Sequence, residues 1–148
     1  MSDYLIAIGV AATVGAVAWS VRRLLTRRLV LVTVRGASME PTFADGERVL
    51  VSRTRPCCDG DVAVFGMPER QRVDGLRWLV KRVAGVPGEL VPADLRSIVA
   101  EEQVPVGFLV VRGDGARSLD SRQLGLIPQA SVLGVVIYPV RPAPAVRS

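Results

Sequence analysis

The chain changes its hydrophobic pattern near residue 28. Tyr4 to Val21 (YLIAIGVAATVGAVAWSV) is an uncharged run of 18 residues, which as a helix is about 27 Å long and just spans the apolar core of a bilayer. A cleaved leader would carry a basic region ahead of such a run, whereas only Asp3 is charged there. The pattern therefore predicts one N-terminal transmembrane helix over residues 4–21. Arg22, Arg23, Arg27 and Arg28 follow it as a basic juxtamembrane segment over 22–28. By the positive-inside rule these arginines place the rest of the chain in the cytoplasm.

From Leu29 onward the pattern is that of short strands. Leu29 to Val34, Arg48 to Ser52, Val62 to Phe65, Trp78 to Val83, Phe108 to Val111 and Val132 to Val140 are rich in Val, Leu and Ile. Turn residues separate them: Asp45-Gly46, Asp59-Gly60, Asp74-Gly75, Pro87-Gly88 and Asp114-Gly115. This predicts a mostly β fold, a small domain over residues 29–141, with residues 142–148 a disordered Pro-rich tail. Pro92 to Gln103 lacks a clear period and is expected to hold a short helix.

Composition removes several kinds of chemistry. The chain has 148 residues, a net charge of +5 and no histidine. The four juxtamembrane arginines account for most of that charge, and the few aromatic residues are not interleaved with basic ones, so no nucleic-acid partner is expected. Cys57 and Cys58 are adjacent and are the only cysteines. Two such ligands without histidine do not close a zinc site, so neither a metal nor a cofactor is expected, and a reduced pair in a turn is the default.

Without histidine, no Ser-His-Asp or Cys-His arrangement exists, and the main route left to a nucleophilic enzyme is a serine with a lysine base. Lys81 is the single lysine against eighteen arginines. On composition alone that is bias with one lysine left over. A guanidinium stays charged in a protein, however, whereas a buried amine can give up its proton. Ser38 follows a predicted strand in Arg35-Gly36-Ala37-Ser38-Met39-Glu40-Pro41-Thr42, where small residues let another backbone approach.

The sequence around these two residues resembles type I signal peptidases, membrane-bound Ser/Lys endopeptidases of peptidase family S26 that remove signal peptides. Four boxes carry the resemblance in order: the segment from Val34 through Ser38 to Val51, Gly60 to Phe65, Val80 to Glu89 (VKRVAGVPGE), and Gly113 to Arg122 (GDGARSLDSR), with Gly125 to Pro128 closing it. Together they cover most of residues 32–139. The resemblance implies a signal-peptidase-like β domain with Ser38 as nucleophile and Lys81 as general base. Trp78, Leu79, Val80 and Val83 are apolar neighbours able to desolvate that base, moving its pKa from about 10.4 towards 7–8. Ser118 is implied to orient the lysine, Asp120 with Arg122 to form a supporting ion pair, and Asp114 with Arg82 a second one.

The chain departs from the family pattern at three places. Gly36 stands where many members carry an oxyanion-binding serine, leaving that work to backbone N–H groups, chiefly that of Ser38. Only 23 residues separate Glu89 from Gly113, too few for the accessory domain of larger relatives. The last box is one residue short and lacks its Asn. Gly36 and the short box also fit an alternative, a catalytically degenerate anchored β-domain that only binds peptides. The peptidase reading implies a precursor peptide or protein as partner beside membrane lipid. An extended peptide would lie between the strands that end at Ala37 and enter Lys81, with cleavage after small residues. Leu31, Val34, Leu79 and Val83 are candidates to line the pockets or to pack in the core. The resemblance implies single-pass residence in the plasma membrane with the domain on the outer face, against the charge rule.

Overall fold

The computed structural model describes residues 2–67, 77–96 and 99–140, with the side chains of residues 2–12 and 25 outside that description. The expected tail and the Asp74-Gly75 turn also lie outside it. Helix α1 spans Ser2–Arg28 and ends in Arg27 and Arg28, cations placed where a helix C-terminus carries partial negative charge. Val14, Val17, Trp19, Val21 and Leu24 are all exposed along it, so no other described element covers them. The guanidinium of Arg23 lies 5.0 Å from the centre of the Trp19 ring, within cation–π range. Among the described residues no helix is long and apolar enough to cross a membrane, and of the apolar run up to residue 12 only the backbone is described.

Among the described residues seven strands follow: β1 Leu29–Thr33, β2 Arg48–Ser52, β3 Val62–Gly66, β4 Trp78–Gly85, β5 Phe108–Arg112, β6 Ile127–Pro128 and β7 Val132–Val140. They make one antiparallel sheet in the order β1-β2-β7-β3-β4-β5-β6. Six of them match the expected runs to within two residues, because runs of branched apolar residues bounded by Gly and Asp turns favour a pleated surface.

The sheet has apolar layers on both faces, and β3 shows why. Successive side chains of a strand point to opposite sides. Val62 and Val64 pack with Val34, Met39, Phe43, Val49 and Val51, while Ala63 and Phe65 pack with Leu79, Val83, Leu109 and Ile127. Strand β7 reaches its place between β2 and β3 through Gly134, where a Cβ would lie 2.2 Å from the Ser52 carbonyl oxygen. Only glycine allows that approach.

The segment after β4 differs from expectation. Pro92 to Gln103 forms turns over residues 93–96 and a bridge from Leu90 to Gln103, with no helix among its described residues. Val91, Leu95, Val99 and Val104 instead close a third apolar cluster against Val110 of β5, and that packing shapes the segment more than helix propensity does. A short α-helix, α2 (Ser121–Leu124), lies elsewhere. It is started by a capping box in which Asp120 caps the N-terminus and Gln123 reaches back to the Asp120 N–H.

Candidate active site

Ser38 is held on the loop between β1 and β2 by contacts on several sides. Met39 and Phe43 are buried beneath it, and the Phe43 N–H donates to the Met39 carbonyl at 2.9 Å. Gly36, at φ 80°, gives its N–H to Oδ1 of Asp45 at 2.7 Å. From across the sheet the Gly115 N–H donates to the Ser38 carbonyl at 3.0 Å. A Cβ on Gly115 would lie 2.4 Å from the Ala37 carbonyl oxygen, so the Gly113–Gly115 turn must be bare to lie against this loop.

Lys81 comes from the middle of β4, opposite Ala63 of β3. It is only 1% exposed, and its Nζ lies 2.5 Å from Oγ of Ser38. Burial lowers the pKa of this amine to about 8, with Asp120 and Asp114 pulling partly the other way. A fraction of the lysine is then neutral near neutral pH, with a lone pair within reach of a hydroxyl proton.

Two ion pairs flank the pair of residues. Arg82, next in β4, donates to both oxygens of Asp114, from Nε at 2.9 Å and from the guanidinium at 2.6 Å. Thr42 joins them, donating to Asp114 at 2.5 Å and accepting from Arg82 at 3.1 Å. The Arg82 bond, joined by that of Thr42, outweighs burial and holds the Asp114 carboxyl below the usual carboxylate range. On the other side, Asp120 is wholly buried and accepts from Nε of Arg122 at 2.9 Å, from its guanidinium at 2.8 Å and from the Gly113 N–H at 3.0 Å. Burial alone would raise the Asp120 carboxyl, but the bonds from Arg122 and Gly113 more than offset this and leave it low.

The structure thus brings Gly36, Ser38, Lys81, Arg82, Asp114, Ser118, Asp120 and Arg122 into one neighbourhood, with two differences from expectation. Oγ of Ser118 is buried and has no hydrogen-bond partner, so the expected bond to Lys81 is not formed. The hydroxyl is packed at Gly113, where an added Cβ would lie 1.7 Å from it. Secondly, Thr42 and Asp45 belong to the site and were not anticipated, since a hydroxyl and a turn acid carry no local signal of a distant partner. The N–H of Ser38 makes no hydrogen bond among the described residues, whereas that of Gly36 is taken by Asp45.

A cleft of about 600 Å³ runs up to this pair between residues 32–38 and residues 77–81, with Arg117 and Leu119 at its end. Val34 and Leu79 line it as expected. Leu31 and Val83 do not: Val83 is sealed in the core at 1% exposure, and Leu31 sits outside the cleft. The β4–β5 ladder begins only at Arg82, so among the described residues the edge of Trp78–Lys81 that faces away from β3 has no strand partner and can take an extended chain.

Known proteins match the same regions. The family model described as signal peptidase, peptidase S26, matches residues 2–99. Mitochondrial inner membrane protease subunit 1 of Schizosaccharomyces pombe is 35% identical over 116 residues, covering 74% of this chain and 71% of the relative. Signal peptidase I V of Bacillus subtilis is 26% identical over 141 residues, covering 70% of this chain and 80% of the relative. Signal peptidase I of Streptococcus pneumoniae is 40% identical over 60 residues, which are 40% of this chain and 27% of the relative. The chain belongs to the signal peptidase family, peptidase S26, and is a peptidase of the signal peptidase type.

Proposed function

We propose that the protein is a membrane-anchored serine endopeptidase that cuts signal or leader peptides from exported precursors after small residues, with Ser38 as nucleophile and Lys81 as general base. The observation that carries this reading is the 2.5 Å contact between Nζ of a lysine 1% exposed and Oγ of Ser38. It also counts against a binding-only module, which has no use for a buried amine beside a hydroxyl.

The precursor lies extended in the cleft and pairs with the open edge of Trp78–Lys81. Neutral Lys81 accepts the Ser38 proton as Oγ attacks the scissile carbonyl. The Ser38 N–H donates to the oxyanion, and because Gly36 has no hydroxyl to add, the hole is a backbone one. Protonated Lys81 then gives its proton to the leaving amine. Lys81, neutral again, accepts a proton from the water that hydrolyses the acyl-enzyme and returns one to Ser38 Oγ. The Asp120–Arg122 and Asp114–Arg82 pairs hold the Gly113–Gly115 turn and β4 in register, and Ser118 packs beside the pair as a positioning residue.

Residues 4–21 are the anchor, and residues 29–141 act at the outer face of the plasma membrane, where an exported precursor exposes its cleavage site. The juxtamembrane arginines lie among lipid headgroups, and the stacking of Arg23 on Trp19 suits that interface. Protease added to intact cells should digest the domain; its protection would place it inside. The mechanism is tested with Ser38→Ala and Lys81→Arg on a signal-peptide substrate: both should lose cleavage, and a Lys81→Arg enzyme that cuts like the parent would refute the base.

A further inference from the structure

The wall of the cleft has a one-sided charge. Arg35, Arg77 and Arg117 line it, and among the described residues no Asp or Glu does. All three are exposed, and among the described residues none of them forms an ion pair or a side-chain hydrogen bond. The other arginines near the site are occupied: Arg82 by Asp114, Arg122 by Asp120 and Arg112 by Asp94. Two acids border the cleft without lining it: Asp45, whose Oδ1 accepts from the Gly36 N–H at 2.7 Å, and Glu40, which lines an adjoining cavity together with Ala37, Arg117 and the Asp114 already held by Arg82. Exposed guanidinium groups with no partner among the described residues thus border a largely apolar channel of Val32, Val34, Trp78, Leu79, Val80 and Leu119.

We infer that this peptidase selects precursors with acidic side chains around the scissile bond. The inference rests on the peptidase reading above and deepens it. A guanidinium offers a planar fork that pairs with a carboxylate through two hydrogen bonds, and low-dielectric walls strengthen such a pair over one in open water. The positions follow from strand geometry. Arg117 lines both the cleft and the adjoining cavity, so it faces the residues next to the cut. Arg77 precedes Lys81 by four positions, about 14 Å along an extended chain, and in a peptide running parallel to β4 meets a side chain some four residues upstream. Small residues at the cut itself remain compatible with this, since the arginines reach from the rim.

The test uses soluble peptides in detergent without lipid, identical except for Ala, Asp or Lys beside the cut and four residues before it. The acidic peptide should show kcat/KM about fivefold above the Ala peptide and the Lys peptide a lower value, the range of a partly exposed charge pair. The preference should weaken as salt rises. In Arg117→Glu the order at the position beside the cut should invert, with the Lys peptide now preferred over the Asp peptide. Equal rates for Ala and Asp peptides in the parent would overturn the inference and leave the peptidase reading intact; cleavage of none of the peptides would instead count against that reading. A uniform fall for all peptides in Arg117→Glu, without inversion, would mark Arg117 as structural and overturn its role. A preference seen only when anionic vesicles are added would assign the arginines to lipid headgroups and overturn it equally.

Discussion

Lys81 stands directly opposite Ala63 in the β3–β4 ladder, and both side chains are almost completely shielded from water. The methyl group leaves room for the lysine chain to cross the sheet face but offers no hydrogen bond to its amine. The folded protein therefore carries a cost for holding a cation there, visible in the pKa lowered to about 8 by burial.

That cost has a defined dependence on pH. The unfolded amine titrates near its ordinary value, so the penalty is full below about pH 8 and fades as pH rises towards about 10.4, where both states are neutral. Lys81→Met, which keeps the length and removes the charge, should raise stability by about 1–2 kcal/mol at neutral pH while abolishing cleavage. Denaturant unfolding at pH 7 and at pH 10 should show the gain shrink at the higher pH. A destabilised Lys81→Met protein at pH 7 would contradict the assigned cause of the shift.

Gly113 is expected to tolerate no side chain. An added Cβ would meet Oγ and Cβ of Ser118 at 1.7 and 2.3 Å and the Ser38 carbonyl oxygen at 2.8 Å. Gly113→Ala should therefore lower both the melting temperature and cleavage. Adding Ser118→Gly removes two of the three clashes and should restore part of the stability, which thermal melts of the single and double variants would show.

Asp120 joins the cap of α2 to the turn that carries Gly113. Asp120→Ala leaves the Gly113 N–H and the Arg122 guanidinium without their acceptor and should cost about 2–3 kcal/mol. The Asp120 carboxyl is held low in the folded state, so its contribution is present above the usual carboxylate range and is lost as pH falls through the lower folded value. The parent and Asp120→Ala should consequently differ in denaturant midpoint at pH 7 and converge in strong acid.

Much of this was legible in the sequence because the strands are short apolar runs cut by glycine and aspartate turns, and because the absence of histidine left Ser38 and Lys81 as natural partners. Sheet order was not legible. The placement of β7 between β2 and β3 depends on pairing with residues some 70 to 90 positions earlier and on the bare backbone of Gly134. Helix α2 was missed because four residues carry no period, although Asp120 and Gln123 spell its capping box. Ser118 was placed in the right neighbourhood by the resemblance, yet the direction of a hydroxyl depends on packing against Gly113 that no local pattern encodes. Thr42 shows the same limit: its partners, Arg82 and Asp114, come from distant parts of the chain.

The central claim is that neutral Lys81 activates Ser38, and the most direct test is the pH dependence of acylation at that serine. A serine-directed acylating inhibitor should modify Ser38, identified by peptide mass spectrometry, at a rate that rises with pH and levels off above an apparent pKa of about 8. Lys81→Arg, which keeps the charge but cannot give up its proton, should leave Ser38 unlabelled across the same range. Labelling of Ser38 at the parent rate in Lys81→Arg, or a rate in the parent that does not change between pH 6 and about pH 9 where the amine deprotonates, would contradict the account.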